Sequence, residues 1–497
     1  MKSHSKKRCI FLVIALMLAL LLAAACSSNN ENDDNDSNDP PQQQENQPPP
    51  ELPTQQDETT PDPGNEQSPA IFGVHAPRDL GGRTLRIQSW FGGAISYTEG
   101  LWAEEPDPAT SPNYLAYRMR WDNFHRVLDE FNFTLEEILI GDDYMAHLTA
   151  SVLSGAPIAE VVRTGGNHAA IGLLGDLIIP LNNIDLPGSD LLGPRLFSQP
   201  MVEFRGDIWS MNDSRPDLFA FTMGVNLDII RAIGAPNPVD LYNQGQWTWD
   251  AMLDIMRMAS ADTTGDGVID RFGISGQPDN VLVNLIGSND GMMVNDDLNF
   301  AFDHPNTIQA FEFFETIVQE GLFDHDPNVG LTADWGRNFW SFHGGNVAFF
   351  NAVVWGLDGV SFDFAILPWP TGPSNTSGSQ GMAGWREGIS FVAGADWDPA
   401  DILTVVEEFY AWSGGDIHLM HEDALNWPRA VFPTEEDVQR TLRVAERSIR
   451  DLGLVVDGYH HVLNSFAINL FERNATVMEL IETYRPPQQE MLDAFFR

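Results

Sequence analysis

The chain has 497 residues, only two cysteines and a formal net charge of −44. Residues 1–25 carry four of the 27 basic residues and none of the 71 acidic ones, which leaves −48 beyond that segment. A surface of this sign repels phosphate backbones and excludes nucleic acid as a partner. Cys26 is the only cysteine after residue 25, so that part of the chain holds no internal disulfide. Several hundred residues bury enough apolar surface to be stable without one.

The first eight residues include Lys2, Lys6, Lys7 and Arg8, and an uncharged run follows from Cys9 to Ala25. A basic start, an apolar stretch and a small-residue end read as an export signal. The alternative is a retained membrane helix, since 17 apolar residues lie at the lower edge of a spanning length. The ending Ala23-Ala24-Ala25-Cys26 resembles the lipobox of bacterial lipoproteins. That resemblance implies cleavage before Cys26, acylation of Cys26 and attachment to the outer face of the cell membrane. Residues 26–69 are mainly Asn, Asp, Pro, Gln and Glu, a composition that cannot offset the entropy of ordering. They are expected to form a solvated tether with an r.m.s. reach on the order of 35 Å.

Every lysine lies at or before Lys7, so the rest of the chain uses arginine alone for positive charge. Arginine stays protonated where lysine titrates. An alkaline or saline exterior and genomic base composition both account for this.

The body, residues 70–497, is too long for one compact core and is expected to form two lobes. It opens with an alternating strand, residues 84–90, then a helix over 114–131, a strand over 134–140, a helix over 142–154 and a strand over 158–162. That order implies a parallel sheet covered by helices. Further on, Asn306 or Thr307 caps a helix stopped by Gly321. Asp398-Pro399 opens another that stops at Gly414, Thr434 with Asp437 forms a capping box, and 362–367 reads as a strand.

Several segments, in this order, resemble the family 1 extracellular solute-binding proteins, the group of maltose- and oligosaccharide-binding receptors. They are Ser154-Gly155-Ala156-Pro157, Gly175 to Leu181, Phe204-Arg205-Gly206-Asp207-Ile208-Trp209, Asn226-Leu227-Asp228-Ile229-Ile230 with Gly234 and Pro236, and Trp247-Thr248-Trp249-Asp250. Phe342 to Phe349 leading to Trp355, and Pro368 to Pro373, complete the set. The resemblance implies an α/β, two-lobed periplasmic-binding-protein-like fold of class II, each lobe a parallel-sheet sandwich, with hinge segments crossing between them. It places lobe 1 at about residues 80–205 plus 350–395, and lobe 2 at 206–349 plus much of 396–497. It further implies a monomeric receptor, not an enzyme, that closes on a small organic ligand such as a mono- or oligosaccharide and delivers it to ABC permease subunits.

All 14 tryptophans lie after Ala70, and flat aromatic faces beside planar polar groups suit the C–H patches and hydroxyls of sugars. Tryptophan is equally a core residue, and a helix start explains Trp247 and Trp249. Ligands of open α/β sheets bind beyond the carboxyl ends of strands, which selects Trp90 after the first strand and Thr164, Gly165 and Asn167 after the third. By resemblance, Trp355 is the tryptophan that stacks on sugar. Trp385 and Arg386 sit in the family's glycine-rich segment, as a stacking face and a bidentate donor or else as part of a surface ion pair.

Asp262, Thr264, Asp266, Val268 and Asp270 reproduce positions 1, 3, 5, 7 and 9 of an EF-hand loop with Gly267 at position 6. Gly273 stands where the bidentate glutamate belongs. A structural calcium ion and a metal-free Asx-rich turn are the two readings. His418 and His421 share a helix face but lack a third ligand of a transition-metal site. No catalytic residues stand out. A secreted, lipid-anchored glycoside hydrolase and a sensory or adhesion module remain as competing functions, the first because 71 acidic residues allow chance carboxylate pairs.

Overall fold

A computed structural model describes residues 74–89, 105–108, 114–141, 144–165, 176–184, 198–213, 216, 218, 220–324, 341–382, 387–449, 451–454 and 459–496. The chain divides into residues 1–66 and 67–497, and all described residues belong to the second unit. The expected signal, Cys26 and the whole of the expected tether lie outside them. Among the described residues no helix is long and apolar enough to cross a membrane.

Strand β1 (Arg83–Ser89) leads to helix α1 (Tyr114–Phe131), β2 (Phe133–Leu139), α2 (Tyr144–Leu153) and β3 (Val161–Gly165). β4 (Ile178–Ile179), β5 (Ser198–Phe204) and β6 (Asp207–Asp213) follow. β1 forms because Leu85 and Ile87 alternate inward beneath α1, whose buried residues Ala116, Met119, Arg120, Asn123, Val127 and Phe131 recur at helical spacing. The chain then enters β7 (Thr222–Asn226), α3 (Leu227–Ile233), α4 (Pro238–Asn243), α5 (Trp249–Ala259), β8 (Phe272–Ser275), α6 (Pro278–Gly287) and α7 (Pro305–Gln319). After β9 (Val347–Ala352) and β10 (Phe364–Leu367) it returns to β11 (Glu387–Val392) and α8 (Pro399–Tyr410). α9 (Ile417–Val431), α10 (Glu435–Arg447), α11 (Tyr459–Phe471) and α12 (Val477–Phe496) end it.

Among the described residues the strands form two sheets. One has seven strands, in the order β2-β1-β3-β11-β6-β5 with β4 beside β11, and the other has four, in the order β10-β7-β9-β8. The β1, β2 and β3 pairings are parallel as expected. The all-parallel lobe is corrected, because β11 enters antiparallel between β3 and β6, and β8–β9 is the one parallel pair of the second sheet.

The lobe boundaries shift for a related reason. β5 and β6 are joined by Arg205 and Gly206, both at positive φ, a two-residue hairpin that holds β6 in the first sheet. The first crossing therefore follows Asp213, not residue 205. β10, expected in lobe 1, and β9, which the expected boundary near residue 350 divided, flank β7 in the second sheet. The helix starts hold with one change. Asp398 and Thr434 cap α8 and α10, while His304 caps α7, because Pro305 takes the first helical position. Thr307 is instead buried, bonded to both the N–H and the carbonyl of Met292.

The first sheet shares a core with α1 and α8 through Val127, Phe131, Ile402, Val406 and Phe409. The second packs against α5, α6, α7, α11 and α12, where Phe302, Phe311, Phe314 and Phe466 are fully buried. Each such side chain contributes roughly 1.5–3 kcal/mol on burial.

Asp451 is a buried acid in this second region. Its carboxylate accepts the N–H groups of Met293 (2.7 Å) and Gly453 (2.7 Å). Burial outweighs these donors and pushes its pKa up to about 6. A raised carboxyl pKa means that the folded chain holds the proton longer than the unfolded one, so this stabilisation is full below about pH 4 and lost as pH rises through 6. Asp451→Asn is expected to be more destabilising at pH 4 than at pH 7, by about 2 kcal/mol of differential effect. Chemical denaturation of both proteins at the two pH values measures it, and a pH-independent difference would contradict it.

Candidate ligand-binding site

The two sheets present corresponding edges to the chain segments that join them. On the first sheet, β3 ends at Gly165, paired with Glu387 where β11 begins, and β6 ends at Asp213 beside them. On the second, β7 begins at Thr222 opposite Ala352 at the end of β9, and β8 ends at Ser275. The chain leaves Asp213 for Thr222 and returns from β10 to Glu387, so both passages connect the same two edges.

The first edge is polar and buried. Arg163 on β3 is 3% exposed and forms an ion pair with Glu387. Asn212 Nδ2 donates to the Glu387 carbonyl at 2.8 Å. Tyr144 lies near this pair, and burial, reinforced by the Glu387 charge, pushes its hydroxyl pKa up. Gln88 donates to the Tyr144 carbonyl, and Ser89 Oγ donates to Glu137 at 3.0 Å.

The second edge carries Ser275, Gln277, Asp279, Asn280 and Asn351. Ser275, Asp279, Asn280 and Asn351 are buried, and Asn280 Nδ2 donates to Gln277 Oε1 at 2.5 Å. Asn351 Oδ1 is buried with no hydrogen-bond partner among the described residues. Gly276 has a positive φ, and a Cβ there would run into Asn351 Cβ, so only glycine lets β8 turn into α6 this close to β9. These amides and carboxylates are the donor and acceptor types that match hydroxyl groups. Sequence reasoning passed over them, although the polar stretch Gly276 to Asn280, set between an apolar strand and an apolar helix, marks them.

Trp355 lies in a 3-10 turn, Val354–Leu357, that follows β9 at this edge, and it is 43% exposed where its neighbours Val354, Gly356 and Leu357 are buried. Thr164 and Gly165 fall within β3 rather than in the loop after it. Thr164 is buried, with its hydroxyl bonded to Ser390 (2.9 Å) and Ser210 (3.2 Å). Trp90, Asn167, Trp385 and Arg386 lie outside the described residues. Trp247 and Trp249 are core residues. Their indole N–H groups donate to the Pro368 carbonyl and to Ser288 Oγ, and Trp249 stacks on Phe313.

The loop of Asp262, Thr264, Asp266, Val268 and Asp270 is closed by its own hydrogen bonds. Asp262 accepts the N–H groups of Gly267 (2.7 Å) and Gly265 (2.6 Å), Asp266 accepts that of Val268, and Asp270 accepts both the N–H and the hydroxyl of Thr263. Those donors hold the Asp262 and Asp270 carboxyls below the usual range. Among the described residues no three Asp, Glu, His or Cys side chains gather as metal ligands would, while backbone N–H bonds to the first and third acidic positions suit an Asx turn and an EF-hand-like loop alike, so both readings stand. Adding millimolar calcium to the chelator-treated protein separates them: a rise of several degrees in melting temperature supports a structural ion, and an unchanged value supports the metal-free turn.

No protein-family model matches the chain, and a search of curated proteins finds no sequence relative. Solved structures share its fold over most of its length. The GacH receptor of Streptomyces glaucescens, described unliganded and with acarbose, superposes with a TM-score of 0.57 at 12% identity over 83% of this chain and 99% of its own. The substrate-binding protein Lmo0181 of Listeria monocytogenes, in complex with cycloalternan, gives the same four values. UgpB of Mycobacterium tuberculosis, in complex with glycerophosphocholine, gives 0.52 at 16% over 76% and 95%. The fold is thus that of the two-lobed ABC substrate-binding proteins.

Proposed function

We propose that the chain is an exported receptor that captures an uncharged carbohydrate between its two lobes and presents it to an ABC permease. One observation carries the reading. The double crossing joins two sheet edges, each lined by buried polar side chains, and the exposed Trp355 lies in the turn after β9 at one of them; this arrangement belongs to a fold whose solved examples include sugar-bound receptors. Binding by closure needs no covalent chemistry, which separates this function from a hydrolase. The glycerophosphocholine complex of UgpB raises a phosphodiester as a second reading. Net charge of −48 beyond the signal, with Asp279 and Asp213 buried at the two edges, disfavours an anion. Acylated Cys26 and the tether would hold a monomer at the outer face of the membrane, within reach of the permease.

A thermal-shift screen against mono- and oligosaccharides, glycerophosphodiesters, amino acids and peptides tests the assignment. Stabilisation by one or more neutral saccharides is the expected outcome, and hits only among peptides or phosphodiesters would overturn it. With the saccharide so found, Trp355→Ala is expected to weaken binding by about 30-fold, or about 2 kcal/mol, the scale of a lost aromatic anchor. Because the side chain is 43% exposed, the melting temperature of the ligand-free protein should hardly move. Unchanged affinity by calorimetry would remove Trp355 from the site.

A further inference from the structure

A third passage between the lobes follows α8. Helix α8 belongs to the first sheet's core, and it ends in a 3-10 turn, Ala411–Ser413, that carries the buried Trp412. Helix α9 starts here and packs its first turns against α1, in a small cluster of Ala116, Met119, Trp412 and Met420 edged by Ile417 and Leu419. Its later turns belong to the second sheet. Leu425 joins Phe350, Ile366, Val354 and Leu357, and the helix lies against the turn that presents Trp355. One helix therefore touches α1 at one end and the Trp355 turn at the other.

The junction with α1 is held by charge as well as by apolar contact. Arg120 projects from α1, forms an ion pair with Asp423 on α9, and lies over the Trp412 ring at 4.5 Å. Both charged side chains are only 9% exposed. Removing one partner of such a pair leaves the other charge buried, and a guanidinium on an indole face adds a cation–π attraction that orients it. Asp423 lies two residues before Leu425, so the same stretch of α9 that grips Arg120 supports Val354 and Leu357.

We propose that Arg120 and Asp423 are positioning residues for the candidate site: their ion pair fixes α9 on the first lobe and thereby sets the orientation of the Trp355 turn on the second. The functional meaning rests on the reading that Trp355 meets the ligand. The mechanical coupling does not, and it is tested without ligand. Peptide-resolved hydrogen exchange of the full chain is compared for wild type, Arg120→Met, Asp423→Asn and the charge-reversed pair Arg120→Asp with Asp423→Arg. Each single variant is expected to exchange about tenfold faster both in α9 and across residues 353–358, with β1, β3 and β11 at wild-type rates and with the reversed pair recovering most of the protection. Faster exchange confined to α1 and the first turn of α9, with 353–358 unchanged, would overturn the proposal. So would faster exchange that reaches β1 and β3 equally, or reversed charges that restore nothing. Failure of the carbohydrate screen would leave this outcome unaffected, so the two claims fail separately.

Discussion

Glu408→Ala is expected to lower the unfolding free energy by about 3–5 kcal/mol, the range for breaking a buried ion pair from one side. The Glu408 side chain on α8 is fully buried. One carboxylate oxygen accepts from Arg126 on α1 at 2.5 Å, and the other accepts the N–H groups of Val74 and His75, at the start of the described residues. Next to it, Glu407 pairs with the His75 ring at 2.7 Å. Alanine removes three charge-assisted hydrogen bonds at once and strips two backbone donors of their acceptor. Arg126 keeps Glu130 and Asn123, which places the loss nearer the lower end of the range. Guanidinium titration reads the loss, and limited proteolysis should show cleavage near residue 75 well before the body opens. A loss below about 1 kcal/mol would show that water replaces the clasp, at the level of an ordinary hydrogen bond.

Gly287→Ala is expected to cost about 3 kcal/mol, at the upper end of overpacking penalties. Gly287 is the last residue of the wholly buried α6, and a Cβ there would lie 2.4 Å from the Gly381 carbonyl carbon and 2.6 Å from the Met382 nitrogen. Both obstacles are backbone, so no rotamer change relieves the contact. The clash also falls where Met382 N–H donates to Asn284 Oδ1 at 3.2 Å, just before the chain returns to β11. Ligand binding should weaken along with stability, since the return crossing shifts with α6. A melting temperature within about 1 °C of wild type would show that α6 moves away freely.

Local signals carried much of the fold. The alternation at Leu85 and Ile87, the spacing of Val127 and Phe131, and Pro399 after Asp398 each specify an element through neighbours in sequence. Where expectation and structure part, the deciding partner is distant. Arg163 and Thr164 look like the start of a loop because they are polar. They extend β3 because Glu387 and Ser390, more than 220 residues further on, supply the missing charge and hydroxyl. β11 likewise gives no local sign that it will run antiparallel between β3 and β6. The lobe boundary was legible and misplaced, since Arg205-Gly206 between two strands signals a hairpin and not a crossing. Within the candidate site, Trp355 is proposed from the resemblance, while Asn351 and Asn280 come together only when β8, β9 and α6 meet.

Capture of an unchanged sugar is the core of the functional account, and native mass spectrometry of the chain mixed with a neutral oligosaccharide ladder addresses it most directly. A complex of one chain with one intact oligosaccharide, released unaltered on denaturation, is expected. A chain that retains no sugar, or one that leaves shortened sugars or a covalent glycosyl adduct in the mixture, would contradict it.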